Sequence, residues 1–376
     1  MTKKPHFTDN PPDIFKIAIT LLPDIGPVLA KRLIAYTGSA KAVFHESQSA
    51  LAKIPGIGKH LLKQLKTANI MDKAEKECRF IKKYDINVCD YLDPGYPKRL
   101  KQCEDGPVLF YYKGTPCWQS EKVIAMVGTR NATDYGKNFC EKFIESLKER
   151  HPESVIVSGL AYGIDIASHR AAIKHHLNTL AVLGHGFNTL YPAVHTKAAK
   201  EIVNQGALIT EFNSDAGPDR NNFVRRNRII AGLADAIIVV ESAGTGGALI
   251  TADIANSYNR EVFAVPGRTT DAFSTGCNKL IRQNKAALLE SVEDLEYLTG
   301  WDLSDKDEPK QQTISFDLTQ DEEKIASVLR GQIAVPLDII TMKTGMPVSK
   351  VSAQLLTMEF NGLVKSLPGK QYKWIG

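Results

Sequence analysis

Between Lys122 and about Gly300, short apolar runs alternate with stretches whose apolar positions recur at helical spacing. The runs predict strands over 123–127, 154–158, 179–183, 207–212, 235–241, 261–265 and 287–289. The stretches between them predict helices, among them 135–150, 164–175, 195–204 and 248–258. A run such as DAIIVVE (235–241), with no polar alternation inside it, suits a strand covered on both faces of a parallel sheet. Strands and helices in strict alternation imply right-handed crossovers, so the fold class is α/β with a Rossmann-like doubly wound parallel sheet. Several strands end in glycine-bearing turns: Gly128-Thr129-Arg130, Ser158-Gly159 and Gly184-His185-Gly186.

The flanks read differently. Residues 1–12 form a polar, Pro-containing tail, and 13–68 form a helical domain of helix-hairpin-helix or SAM-like type. Its turns lie within LLPDIGPVLAKRLI (21–34) and LAKIPGIGKHLLKQL (51–65). Pro55-Gly56-Ile57-Gly58 resembles the helix-hairpin-helix motif of DNA-repair proteins, in which turn N–H groups grip a phosphate. Such a domain can equally serve as a protein-contact module, and both readings stand. Prolines at 94, 97 and 107 make 69–121 a connector with a charged helix and one short strand. After the Rossmann-like domain at 122–300, WDLSDKDEPKQQTIS (301–315) reads as a polar linker. Three helix patterns and a ribbon at 316–376 suggest a winged-helix-like domain. Its third helix carries only Lys350 as a base and also has Glu359, which favours a partner-contact role; the wing lysines Lys370 and Lys373 keep DNA open.

The 376 residues carry a net charge of +5, a mild basic excess that permits a nucleic-acid partner without requiring one. Local clustering is more telling. Arg220, Arg225, Arg226 and Arg228 crowd one predicted helix, with no acid between Asp219 and Asp235. The buried strand follows, and then SAGTGG (242–247) opens another helix, where free N–H groups and the helix dipole favour an anion. Six cysteines show no CxxC pair and no zinc-ligand spacing, as expected of reduced thiols in a cytoplasmic protein. There is no signal-like apolar core, and no run approaches the length of a membrane span.

Catalytic chemistry finds little support. None of the nine histidines sits in an HExxH-type spacing, and neither a GxSxG elbow nor a Walker loop occurs. Gly128-Thr129-Arg130 lacks the spacing of a dinucleotide fingerprint, so no cofactor and no metal is expected. Asp165 and His169 share a helix face at i,i+4 and read as a surface ion pair. Binding is better served. Arg130 follows the first strand of the domain, and the arginine helix must start near the same carboxyl edge. Arg220, Asn222, Phe223 and Arg226 are therefore expected near Arg130 and the Gly244-Thr245-Gly246-Gly247 turn. Phe223 amid arginines would stack a base, worth ~1–3 kcal/mol; alternatively it is a core residue anchoring the loop. Asn227 and Arg228 begin the apolar part of the helix and are expected to be partly buried.

These residues resemble the DNA-processing protein A (DprA/Smf) family over essentially the whole chain. The carrying segments are MVGTRNATDYG (126–136), VSGLAYGIDIASHRAA (157–172), VLGHGFNTLYP (182–192), FVRRNRIIAGLADAIIVVESAGTGGALITA (223–252), and VFAVPG with STGCNKLI (262–281). The resemblance implies a bacterial cytoplasmic protein that binds single-stranded DNA without sequence preference, protects incoming strands in natural transformation and loads the recombinase RecA. It also implies a homodimer through the Rossmann-like domain and no catalytic residues. Carried over by motif, Gly128, Thr129 and Arg130 lie at the DNA pocket, Arg220 and Phe223 line it, and Asn227 and Arg228 match an RNR signature of partly structural role. Thr129 stands where serine is common, and His185 where a smaller or polar residue is usual; neither change removes a cation. The rival reading is a nucleotide or phosphoribosyl hydrolase using the same sheet edge, with Glu241 as the close acid and Glu211 and Asp253 further off.

Overall fold

The computed structural model describes residues 13–65, 69–301, 318–330, 335–367 and 371–375. The tail 1–12, the linker residues 302–315 and Lys370 lie outside them. The chain divides into two compact units between Thr299 and Gly300.

The first unit is built on a nine-stranded sheet. In chain order its strands are β1 (Asn87–Asp90), β2 (Leu109–Gly114), β3 (Val123–Val127), β4 (Val155–Ser158), β5 (Asn178–Val182), β6 (Gly206–Thr210), β7 (Ala236–Val239), β8 (Glu261–Ala264) and β9 (Ala287–Leu288). The spatial order is β1-β2-β6-β5-β4-β3-β7-β8-β9. From β6 to β9 every pairing is parallel, whereas β2 joins β6 antiparallel and β1 joins β2 antiparallel. The winding reverses between β3 and β7, which makes their carboxyl ends the switch point of a doubly wound sheet, where such folds leave a crevice. β3 to β7 are buried along nearly their whole length, so they read as apolar runs.

The run 235–241 yields a shorter strand because its acids are used at the two ends. Asp235 accepts the Val123 N–H at 2.9 Å and pairs with Arg99. At the other end, the Glu241 carboxylate accepts the Thr133 N–H at 2.9 Å and its hydroxyl, closing the cap of the helix Asp134–Arg150.

The stretch read as a connector is part of the sheet. It supplies the helix Ile70–Tyr84 and strands β1 and β2. Its prolines exclude a long helix but leave room for short antiparallel strands, which the aromatic residues then hold down. Phe110 and Tyr112 pack edge-on against Trp118 with ring centroids 5.3 and 4.9 Å away, and Leu109 and Tyr111 on the other face join the core of the helical region. That region comprises Ile14–Thr20, Pro27–Thr37, Ala40–His45, Gln48–Leu51 and Lys59–Gln64, around Ile17, Ile19, Leu33, Leu51 and Ile57. Its two hairpin turns are neighbours: His60 lies 3.1 Å from Asp24, and Arg32 donates to the Pro55 carbonyl at 2.8 Å. Gly56, at φ +88°, supplies the left-handed residue that the second turn requires.

The second unit is a winged helix. Helices Gln320–Leu329, Leu337–Thr344 and Val348–Phe360 pack on a three-stranded sheet of β10 (Val335–Pro336), β11 (Val364–Leu367) and β12 (Gln371–Trp374), ordered β10-β12-β11. Ile325, Ile340, Val351, Leu355 and Met358 form its core. Thr319 and Glu322 close a reciprocal cap on the first helix.

Candidate nucleic-acid interface

At the β3/β7 switch point a cavity of about 910 Å³ opens, lined by Gly128, Thr129, Arg130, Arg220, Phe223, Arg226, Asn227 and the turn 242–247. Each wall is held by its neighbours. The Thr129 N–H donates to the Glu241 carbonyl at 2.7 Å, and the Ile164 N–H to the Thr129 carbonyl at 3.2 Å. A methyl on Gly128 would stand 2.4 Å from Ile164, so this turn tolerates only glycine. Opposite, the first turns of the helix Gly247–Ser257, with Gly246 as its N-cap, line the cavity; Asn227 Nδ2 donates to the Gly247 carbonyl at 3.4 Å.

At the mouth, the exposed Arg130 guanidinium lies 5.5 Å over the centroid of the Phe223 ring. Phe223 is partly exposed and rests on the backbone of Gly184, where a Cβ would come within 2.5 Å of its Cδ1. Tyr191 flanks the same ring with centroids 5.7 Å apart. Phe223 is thus anchored against Gly184 and Tyr191, as the core alternative expects, and it also lines the cavity. Arg220 is exposed on the first turn of its helix. Among the described residues no carboxylate pairs with Arg130 or Arg220, whereas Asp253, the acid on the far wall, pairs with Lys285 at 2.8 Å.

Arg226 is different. It is buried at the floor, its guanidinium laid on Gly159 so closely that a Cβ there would meet Nη1 at 1.4 Å. Asp165 Oδ2 lies 3.9 Å away. Burial pushes the Arg226 pKa down, Asp165 opposes that shift and Arg130 adds to it. Asp165 and His169 are not the surface ion pair expected from their spacing. Both are buried, Asp165 toward Arg226 and His169 toward Thr179, whose Oγ1 lies 2.8 Å from Nδ1. Thr179 donates to the Ile156 carbonyl at 3.0 Å, so His169 donates through Nδ1; burial presses its pKa down to about 3 and keeps it neutral.

Asn222, expected near Arg130, and Arg228, expected to be partly buried, both lie off the cavity. Arg228 turns to the opposite side of the helix, where it pairs with Glu211 and donates to the Asp105 carbonyl. Asn222 donates to the Gly217 carbonyl at 3.3 Å and stiffens the loop before the helix. Helical periodicity explains both: with Ile229, Ile230 and Leu233 facing the core, residues 222 and 228 fall away from the face that lines the cavity.

Two family models match the chain over the parts that form the sheet and the winged helix. A family model described as DNA recombination-mediator protein A matches residues 87–299, and one described as DprA winged helix domain matches 308–370. The chain belongs to the recombination-mediator protein A family. Protein Smf of Escherichia coli is 36% identical over 73% of this chain and 74% of its own length. The solved DNA processing protein A of Streptococcus pneumoniae superposes with a TM-score of 0.64 at 33% identity, covering 76% of this chain and 96% of that one. The Helicobacter pylori DNA processing protein A, solved for its single-stranded DNA binding mode, superposes with a TM-score of 0.52 at 25% identity, over 58% and 96% of the two chains.

Within this member of the recombination-mediator family, the acids named for a hydrolase each have other partners: Glu241 caps Thr133, Glu211 pairs with Arg228, and Asp253 with Lys285. Among the described residues no helix is long and apolar enough to cross a membrane. Sequence reasoning missed the seats, Gly159 and Gly184, and the flanking Tyr191. The signal was present as glycines directly after β4 and β5, but what each glycine faces comes from elements distant in sequence. In the winged helix, Lys350 pairs with Asp321 at 2.6 Å and Glu359 accepts from Ser366, while Leu356 and Phe360 are exposed.

Proposed function

We propose that the carboxyl rim of the sheet binds single-stranded DNA without sequence preference, and that the protein is a recombination mediator rather than an enzyme. The observation that carries this reading is the pairing of Arg130 with Phe223 at the cavity mouth. A cation over a partly exposed ring offers charge to a phosphate and apolar surface to an unpaired base, and every base has a face to stack. Arg220 and the N-terminus of the helix Gly247–Ser257 add places for backbone phosphates.

On the same reading the protein acts in the bacterial cytoplasm as a homodimer through the Rossmann-like domain, covers incoming strands during natural transformation and delivers them to RecA. Gly128, Thr129, Arg130, Arg220, Phe223 and the 244–247 turn make direct contacts, and Arg226 and Asn227 support them from the floor.

Fluorescence anisotropy with labelled oligothymidylate and duplex of equal length, across a salt series, tests the reading. Single strands should bind more tightly, and affinity should fall with salt. Equal or stronger duplex binding, or release of free base from nucleoside monophosphates, would overturn it.

A further inference from the structure

The loop 211–219 joins β6 to the helix Arg220–Leu233 and therefore sets where Arg220 and Phe223 begin. One side of it leans on the turn after β5. The Gly186 N–H donates to the Ala216 carbonyl at 2.8 Å, Thr210 Oγ1 donates to the His185 carbonyl at 2.8 Å, and a methyl on Gly186 would stand 1.9 Å from the Asn213 oxygen. That same turn contains Gly184, the seat of the Phe223 ring.

The other side of the loop is held from outside the residues that match the family's main model. Glu77, on the helix Ile70–Tyr84, is 5% exposed. Its carboxylate accepts the Ser214 N–H at 2.9 and 3.0 Å and the Ser214 hydroxyl at 2.6 Å. Beside it, Lys76 pairs with Asp215 at 2.8 Å. Apolar side chains would hold a helix to a loop without the desolvation that a buried carboxylate carries. What the carboxylate adds is direction: charge-assisted bonds to a backbone N–H and its own side chain fix one loop residue in place.

We propose that Glu77 is a positioning residue for the DNA rim, holding the loop through Ser214 so that Arg220 and Phe223 meet the strand in register with Arg130. This rests on the single-strand reading of the rim. Glu77 itself does not line the cavity. The loop is clamped between Glu77 and the turn that seats Phe223, so release at Ser214 frees the start of the arginine helix while the rest of the sheet stays paired. The helix Ile70–Tyr84 thereby gains a direct hold on the binding site.

Oligothymidylate affinity of the full chain tests this, with thermal melting run in parallel. Glu77→Ala should weaken binding about tenfold. Glu77→Gln, which keeps an acceptor oxygen, should recover part of the loss, and Ser214→Ala, which keeps the backbone N–H, should lose less than Glu77→Ala. The deciding measurement is a cycle: the Glu77→Ala penalty should disappear in an Arg220→Ala/Phe223→Ala background, because the groups it places are gone. A merely structural role would give the same fold-loss in both backgrounds. Binding of Glu77→Ala at the parental level, or an equal loss in the two backgrounds, overturns the proposal. If Glu77→Ala does not fold, the same cycle with Ser214→Ala decides in the same way. A parent chain that binds no single strand would instead overturn the function itself, an outcome distinct from a parent that binds and variants that match it.

Discussion

Arg130 and Phe223 lie more than ninety residues apart in sequence, yet the guanidinium of one lies 5.5 Å over the ring of the other. The strand order causes this. Arg130 follows β3, the helix carrying Phe223 leads from β6 across to β7, and β7 lies beside β3. Because Arg130 is exposed and unpaired among the described residues, removing it should cost binding and little else. Arg130→Ala should reduce single-strand affinity and lower the salt slope by about one. Arg130→Lys should restore the slope better than the affinity, since an ammonium keeps the charge but loses the planar fork of donors. Anisotropy titrations across a salt series read both, and an unchanged slope in Arg130→Ala would remove this residue from the site.

Gly184 makes a second test possible without touching a polar group. A methyl there would stand 2.5 Å from the Phe223 ring, so Gly184→Ala should lift the ring off its seat at a cost of about 1–3 kcal/mol. Thermal melting should show the loss, and adding Phe223→Ala should recover the stability but not the oligothymidylate affinity. If the double variant melted no higher than Gly184→Ala alone, the contact would not be the source of the strain.

Arg228 should behave in the opposite way to Arg130. It is paired with Glu211 at side-chain exposures of 11% and 6%, so Arg228→Ala leaves a buried carboxylate without its partner. Unfolding in denaturant should show a loss of about 3–5 kcal/mol. Below the new transition, affinity for single strands should stay close to that of the parent. A large affinity loss in a folded Arg228→Ala protein would return this residue to the interface.

His169 predicts a pH dependence. Its pKa in the fold is pushed down to about 3 from an ordinary 6.5, so the native state requires the neutral ring. The unfolded chain takes up a proton below 6.5 that the folded one refuses. Stability from this group is therefore intact above pH 6.5 and falls as pH drops from 6.5 toward 3, by up to ~1.4 kcal/mol per pH unit. A His169→Gln protein should lose that part of the slope. Melting curves of the two between pH 7 and 4 should diverge on acidification; parallel curves would contradict the buried neutral ring.

The parallel half of the sheet was legible because strands covered on both faces leave unbroken apolar runs, and a βα turn at the switch point must place Gly128-Thr129-Arg130 near 244–247. Short antiparallel strands are harder to read. β1 and β2 sit among prolines, and the aromatic packing of Phe110 on Trp118 that secures them leaves no periodic trace. The inward turn of Arg226 was hidden for another reason. Local sequence shows a cation on an arginine-rich helix, whereas the space that receives it is a missing side chain at Gly159, in the turn after β4. The spacing of Asp165 and His169 misled in the same way: i,i+4 fixes a shared face, and only the packing of the helix Ile164–Lys174 on the sheet says that the face points inward.

The shared core of β1–β2 and the N-terminal helices carries a practical consequence for anyone trimming this gene product. Leu109 and Tyr111 are wrapped by those helices. A shortened version starting at Ile86 would bare greasy strand surface beside a free sheet edge, an invitation to clumping. Loss of DNA binding in such a truncation would report insolubility, so point changes within the intact polypeptide are the sound way to ask what the front end contributes.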